Sequence, residues 1–358
     1  MDSITQVALG ATIAEAGFRR RLGGKAVALG AVCALLPDLD FALGFLDDWA
    51  TMVHHRGFSH SLIVLPLVAP LMAWIGHRWS GRKAPFRAWL HLSLWALLTH
   101  PLLDLCTTYG TQLFWPVTRT RYALDAIAII DPFYTFPLLL ALIVARFRRL
   151  TPTVRSRVAA AALLITTAYL ILGFVQSRKA IALAEADLAE ATSAETTSAE
   201  REAVKPGSID ETFAVAEIRA MPPLANIWLW RVVARNDRGD LRIGHVSTWS
   251  PRHIRFSAVP RPDDPLVAAA LVTDPGRTFS WFAGGMISAE IRPTRTGSAV
   301  ILRDQRYGSV TRPAASLFTI AIYFDKDGRY THARRGAHGP RMDWSEELST
   351  AWSLIVGR

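Results

Sequence analysis

The densest concentration of metal-binding side chains is the octet His54-His55-Arg56-Gly57-Phe58-Ser59-His60-Ser61, a polar loop between two long apolar runs. Neutral imidazole is a common ligand of divalent metals, and the spacing from His55 to His60 lets a short turn bring two rings to one ion. Further ionisable groups interrupt the apolar runs: Asp38 and Asp40 in Pro37-Asp38-Leu39-Asp40, His100 and Asp104 in His100-Pro101-Leu102-Leu103-Asp104, and Asp131 ahead of Pro132. Such groups are costly inside a membrane and mark function there. His100 and Asp104 are one helical turn apart and share a face. At ~1.5 Å per residue, Asp38 and His100 each lie about 18 Å into the runs that begin at residues 26 and 88. Asp131 is about 12 Å from the opposite face, a similar level in a core of about 30 Å. The expected metal ligands are therefore Asp38, Asp40, His55, His60, His100 and Asp104. Asp131 is expected to orient them or accept a proton, and Arg56 to pair with a lipid phosphate or a ligand carboxylate. Mixed imidazole and carboxylate ligation suits Zn²⁺ first, with Mn²⁺ or Fe as alternatives, as one ion or two. An open coordination position would bring the pKa of bound water towards neutrality and supply a nucleophile without Ser or Cys. Each residue alone has a plainer role, Asp38 and Asp40 as helix caps and His100 as a partner for carbonyls freed at Pro101. All those roles would have to coincide at one depth.

The elements that must position these groups are membrane helices. Of 358 residues 51% are hydrophobic, and the mean hydropathy of +0.21 is high for a soluble chain. The long apolar runs fall almost entirely within residues 1–176, and residues 177–358 have ordinary soluble composition. The expected fold class is α+β: a polytopic α-helical membrane domain of about five to six helices (1–177), a helical stalk (178–205), and a β-rich extracytoplasmic domain with a C-terminal helix (206–358). The net charge of +10 arises partly from cations in short loops between apolar runs, a topology signature that argues against a nucleic-acid partner. Cys33 and Cys106 both lie in apolar runs, so no disulfide framework is expected. The opening Met1-Asp2-Ser3 has no basic segment, and no cleavable signal peptide is expected.

In order, the helical segments are a short small-residue helix over 4–18, spans over 26–46, 88–108, 123–145 and 158–176, and an apolar run from 61 to 74 or 77 that Pro66 and Pro70 could kink. His77 and His91 are expected to be interfacial or packed, and Asp125 solvated. Lys and Arg number thirteen in the loops 19–25, 78–87 and 146–157, against three in the opposite loops. That asymmetry places the basic loops in the cytoplasm, and residues 54–61 with everything after 177 on the far side, the periplasm or cell exterior.

Beyond the stalk, alternation over 227–235, the turn Asn236-Asp237-Arg238-Gly239-Asp240 and the run 241–249 predict a hairpin. Further strands are expected over 253–259, 279–291, 299–306, 317–324 and 329–334, and Asp343 with Glu346 predicts the start of a last helix through Ile355. His245, His253, His332 and His338 are scattered and form no constellation.

The motifs Met1-Asp2-Ser3-Ile4-Thr5-Gln6, Pro37-Asp38-Leu39-Asp40, His55-Arg56-Gly57-Phe58-Ser59-His60-Ser61, His100-Pro101-Leu102-Leu103-Asp104, Tyr109-Gly110-Thr111, Trp115-Pro116 and Ile130-Asp131-Pro132 occur in an order that resembles the YdjM/YbcI-like family of membrane-bound metal-dependent hydrolases. Many members carry His where this chain has Gln6. Trp228 to Ala234 and the segment 302–308 look like parts of longer members. The resemblance implies metal-assisted hydrolysis in the inner membrane and names no substrate. A looser similarity of ligand types to zinc-dependent phospholipase C and P1-nuclease enzymes makes an ester or phosphoester, in a small molecule or a membrane lipid, the first expectation. Two other classes stay open: a metal or ion transporter, and an envelope structural or interaction protein whose metal only holds its helices.

Overall fold

In a computed structural model of the chain, the described residues are 1–45, 49–147, 149–201, 213–223, 226–259, 261–336 and 343–357. They divide into two compact units, Met1–Phe174 and Val175–Pro223 with Ile227–Arg358, and the division falls within one helix. Asp47, the stalk beyond 201 and His338 lie outside the described residues.

The first unit is helical: α1 (Ser3–Gly17), α2 (Arg19–Leu22), α3 (Lys25–Leu35) continued by a 3₁₀ stretch Leu36–Phe45, α4 (Ala50–His54), a 3₁₀ turn Phe58–His60, α5 (Leu65–Trp79), α6 (Phe86–Leu105), α7 (Pro132–Val144) and α8 (Pro152–Arg201). Asp2 caps α1, accepting from Thr5 N. Gly10 and Gly30 let α1 and α3 approach closely, since a Cβ at Gly10 would stand 2.2 Å from the Gly30 carbonyl oxygen. Trp89, Leu92, Ala96 and Leu97 of α6 pack with Leu29 and Cys33 of α3 and with Ala69 and Ala73 of α5 in one buried cluster.

Among the described residues, two helices are long and apolar enough to cross a membrane, Lys25–Phe45 and Pro152–Glu190. A third span results if Ala50–His60 and Leu65–Trp79, which meet at 69°, count as one broken crossing. The expected span over 123–145 is shortened to α7, because Asp131 accepts from Phe133 N and Tyr134 N as a helix cap and Pro132 follows it at the favoured first helical position. The last span and the stalk are continuous in α8, whose Ala-rich sequence has no proline after Pro152. Asp125, expected in solvent, is 5% exposed and adopts φ +52°.

The second unit has two antiparallel four-stranded meanders. The first joins β1 (Glu217–Met221), β2 (Leu229–Arg235), β3 (Leu241–Ser247) and β4 (Ser257–Val259) in that order. After α9 (Pro265–Val272) and α10 (Asp274–Phe282), the second joins β5 (Ile287–Thr294), β6 (Gly297–Asp304), β7 (Thr319–Asp325) and β8 (Tyr330–Arg335). The chain closes with α11 (Trp344–Val356), capped by Asp343 through Ser345 N and Glu346 N. Residues 279–282, expected in a strand, belong to α10, because Thr273 caps a helix that opens with Asp274-Pro275.

Arg231 organises one end of this unit. It is fully buried and donates to the carbonyl oxygens of Gln305 (2.9 Å), Ser309 (3.3 Å) and Pro313 (2.6 Å) and to Gln305 Oε1 (3.0 Å). Gly308 lies flat on its guanidinium, with room for no side chain. Buried Glu347 holds the next turn through Val310 N (2.7 Å) and Thr311 Oγ1 (2.6 Å).

Candidate metal centre

Three local structures converge on one point in the helical unit. Pro37 has no N–H to continue α3, and the chain tightens into the 3₁₀ stretch that presents Asp38 and Asp40. On α6, His100 and Asp104 share one face and are both fully buried. The His60 turn is pinned from both sides. Arg56 adopts φ +61°, its N–H donates to Asp40 Oδ2 (3.1 Å), and its carbonyl accepts from Gln112 N (2.9 Å). Next to it, a Cβ at Gly57 would stand 2.7 Å from the His54 carbonyl oxygen, so the reversal needs glycine there.

Asp38, His60, His100 and Asp104 offer one donor atom each, all within 4.8 Å of one another. His60 Nε2 is 3.0 Å from His100 Nε2, 3.2 Å from Asp104 Oδ2 and 3.6 Å from Asp38 Oδ1. His100 Nε2 is 3.4 Å from Asp38 Oδ1 and 3.6 Å from Asp104 Oδ2. An ion bound tetrahedrally at about 2.0–2.2 Å would hold its donors about 3.3–3.6 Å apart, and the five separations fall around that edge.

The outer contacts fix which nitrogens face inward. His100 Nδ1 lies 2.5 Å from the Ala34 carbonyl oxygen, which only accepts, so Nδ1 carries the proton and the neutral ring turns its Nε2 lone pair to the centre. His60 Nδ1 lies 3.0 Å from Ser59 Oγ, whose own proton goes to Asp40 Oδ2, and 3.4 Å from the Asp40 carboxylate, with the same result. Two imidazole lone pairs 3.0 Å apart, flanked by two carboxylates, repel one another unless a cation sits between them. Asp104 Oδ2 accepts no hydrogen bond although buried. Its cationic neighbour Arg56 Nε, at 3.1 Å, makes an ion pair without hydrogen-bond alignment. The residues present fit a divalent metal.

The remaining expected residues take separate places. Asp40 is buried and outside the four-donor group; it is the shared anchor of His55 Nδ1 (2.6 Å), His60 and Ser59 Oγ. His55 stands at the edge, its side chain 15% exposed. Arg56 pairs with the Asp104 carboxylate, donates to Thr107 Oγ1 (2.8 Å) and stacks on Tyr109, 4.7 Å from the ring centre. Asp131 stands apart from the donor group, because its role as cap of α7 takes Oδ1 and the Tyr169 hydroxyl donates to Oδ2 at 3.0 Å. Depth alone does not distinguish those two roles.

Gln6 does enter the centre: it is fully buried and donates from Nε2 to Asp104 Oδ1 (3.1 Å) and the His100 carbonyl (3.2 Å), leaving Oε1 without a partner. The Met1 nitrogen also contacts Asp104 Oδ1. Ser3 Oγ donates to Asp38 Oδ2 at 3.2 Å. Ser3, Ser59 and Thr107 were not anticipated as site residues; for Ser3 and Ser59 the available signal was their place inside the motifs, while Thr107 had none.

Comparison with known proteins places the helical unit in a family. The chain is 40% identical over 96 residues to the inner membrane protein YbcI of Escherichia coli (strain K12), an alignment that takes in 26% of this chain and 54% of YbcI. It is 31% identical over 103 residues to the uncharacterized protein YfhP of Bacillus subtilis (strain 168), covering 27% of this chain and 29% of YfhP. The chain thus spans about half or less of the length of these relatives. No solved structure matches. The YdjM inner membrane protein family matches residues 1–180, the whole helical unit with its donor cluster, and the chain belongs to that family.

Proposed function

We propose that this protein is a multi-pass inner-membrane hydrolase that uses a divalent metal, Zn²⁺ in the first instance, to cleave an ester or phosphoester of a lipid-derived substrate. The observation that carries the reading is the convergence of Asp38, His60, His100 and Asp104 with both imidazole lone pairs turned inward. In this reading α1, α6 and α7 complete a bundle of five to six membrane helices around the two or three long spans. The basic loops face the cytoplasm, and the β-rich unit is extracytoplasmic.

Asp38, His60, His100 and Asp104 hold the ion, which when bound supplies Lewis acidity that brings the pKa of water towards neutrality and polarises an ester oxygen. The Ala34 carbonyl, and Ser59 Oγ backed by Asp40, keep the two rings in the ligating tautomer. Arg56 balances the Asp104 charge from behind. His55, paired with Asp40 at 2.6 Å and reachable from outside, is the group placed to accept the proton released by water, so it takes the role first expected of Asp131. Asp38 is the ligand nearest the surface, its side chain 12% exposed. Leu39 and Phe41 beside it are 59% and 61% exposed, an apolar rim that suits an amphiphilic substrate.

A second reading, a metal that only braces the helices, draws on the four protein donors, which alone complete a tetrahedron. A five- or six-coordinate ion on the same donors keeps room for water. Transport has less support, since the cluster of Leu29, Cys33, Leu92, Ala96 and Leu97 is apolar.

The deciding experiment incubates detergent-purified protein, loaded with Zn²⁺ or Mn²⁺, with phosphoesters that include glycerophospholipids. Hydrolysis that requires the metal and falls about a thousandfold or more in His100→Ala is expected. Stoichiometric metal with no hydrolysis across the panel would favour the bracing role.

A further inference from the structure

At the end of α1 away from the metal centre, two features lie in sequence along the seam between α1 and α8. The first is a polar cleft of about 410 Å³ whose cationic walls are Arg19, Arg20 and Arg155. Glu15, buried on α1, engages Arg19 at 2.5 Å, and Arg155 Nη2 donates to the Phe147 carbonyl at 3.1 Å, so the lining carries three arginines against one carboxylate. The second is a groove of about 620 Å³ lined by Leu9 and Ile13 of α1, Leu102 of α6, and Leu163, Thr167 and Leu170 of α8. Its few hydroxyls are turned inward: Thr167 Oγ1 donates to the Leu163 carbonyl at 2.8 Å, and Thr99 Oγ1 to the Trp95 carbonyl at 2.7 Å. The surface offered to an occupant is mostly hydrocarbon.

The spacing matches one kind of molecule. Arg155 and Leu163 are eight residues apart on one helix, about 12 Å, and Leu170 is about 22 Å from Arg155. The groove thus begins below the arginines and runs through the depth of one leaflet's tails, about half of a core some 30 Å thick. Between cleft and groove the helices touch where Ser156 Oγ donates to the Ala16 carbonyl. Beside that contact the seam is open at Gly17, where an added Cβ would meet nothing within 4 Å.

We propose that this seam binds an anionic phospholipid, its phosphate-bearing headgroup on Arg20 and Arg155 and one acyl chain in the groove. A headgroup phosphate meets a concentrated positive charge there, and the tail replaces lipid contacts with a shaped apolar wall. The site is separate from the metal centre, and its occupancy does not depend on hydrolysis.

The test uses the full chain in nanodiscs, with chain-labelled phosphatidylglycerol and phosphatidylcholine compared by the immobilised fraction in electron paramagnetic resonance. Phosphatidylglycerol is expected to be retained about tenfold or more over phosphatidylcholine, with about a fivefold loss of that preference for each of Arg20→Gln and Arg155→Gln. Arg20 is exposed, so its variant alone keeps the test valid if Arg155→Gln folds poorly. Thr167→Trp, which fills the groove, is expected to lower retention of both lipids. Equal retention of the two lipids by the parent, an unchanged preference in Arg20→Gln, or unchanged retention in Thr167→Trp would overturn the proposal.

Discussion

Asp40→Asn separates support of the proposed metal from ligation of it. Asp40 is outside the four donors, yet its carboxylate faces His60 Nδ1 at 3.4 Å and His55 Nδ1 at 2.6 Å and accepts from Arg56 N at 3.1 Å and from Ser59 Oγ. Asparagine keeps the shape and one acceptor oxygen. That oxygen can serve Arg56 N and His60, but the amide NH₂ must then face His55 or a donor already in place. The negative charge that raises the basicity of the His60 ring is lost in either arrangement. Outer partners of metal-bound histidines are worth about 10- to 100-fold in affinity, or about 1.4–2.7 kcal/mol. Competition against a chelator of known affinity, followed by metal analysis of the detergent-solubilised protein, is expected to show a loss in that range. His60→Ala removes a donor outright and should lose more. In the His60→Ala background, Asp40→Asn should add little, since the ring it supports is gone. Full parental affinity in Asp40→Asn, with the fold retained, would refute the assigned support of His60; an equal additional loss in the double variant would show that Asp40 acts independently of that ring.

Gly10→Leu should lower the thermal midpoint of the detergent-solubilised protein by the equivalent of about 1–3 kcal/mol or prevent folding, because even a Cβ there would overlap the Gly30 carbonyl. Arg231→Ala strips four hydrogen bonds from the loop after β6 and should destabilise the β-rich unit by about 3–5 kcal/mol in denaturant; Arg231→Lys should recover only part, since one ammonium cannot reproduce the fork. Burial, and then the neighbouring Arg231 charge, push the His245 imidazole down to about 3, against the partial opposition of Glu347. The unfolded chain therefore takes up the extra proton as pH falls below about 6.5, and tryptophan-monitored stability should fall between pH 6.5 and 5 by up to about 1.4 kcal/mol per pH unit. A His245→Gln variant should flatten that slope, and an unchanged slope would assign it to other groups.

Much of the centre could be read from the chain because its chemistry is expensive. Ionisable groups at mid-depth stand out against apolar sequence, and His100 with Asp104 follow from helix periodicity. His60, Asp38, His100 and Asp104 meet in space as their residue types suggested. The division among ligand, support and cap was not legible. Asp40 differs from Asp38 by two positions in a 3₁₀ turn, a register no α-helical repeat reveals, and Asp131 reads identically as a ligand or as the cap it is. In the β-rich unit the hairpin of β2 and β3 followed from alternation and its Asn-Asp-Arg-Gly-Asp turn. The strand β1 and helix α9 escaped, the first because five residues carry little pattern, the second because Leu-Val-Ala-Ala-Ala-Leu-Val has no polar face. Alternation over 227–235 gives Arg231 no special place, and only the long-range loop around residues 305–313 explains its burial.

The most direct test of the central claim is elemental analysis of the detergent-purified protein beside His60→Ala and His100→Ala. The account predicts about one equivalent of a divalent transition metal in the parent and its loss in both variants with the helical fold retained. Parent protein that stays metal-free after reconstitution, or variants that keep the parental content, would contradict it.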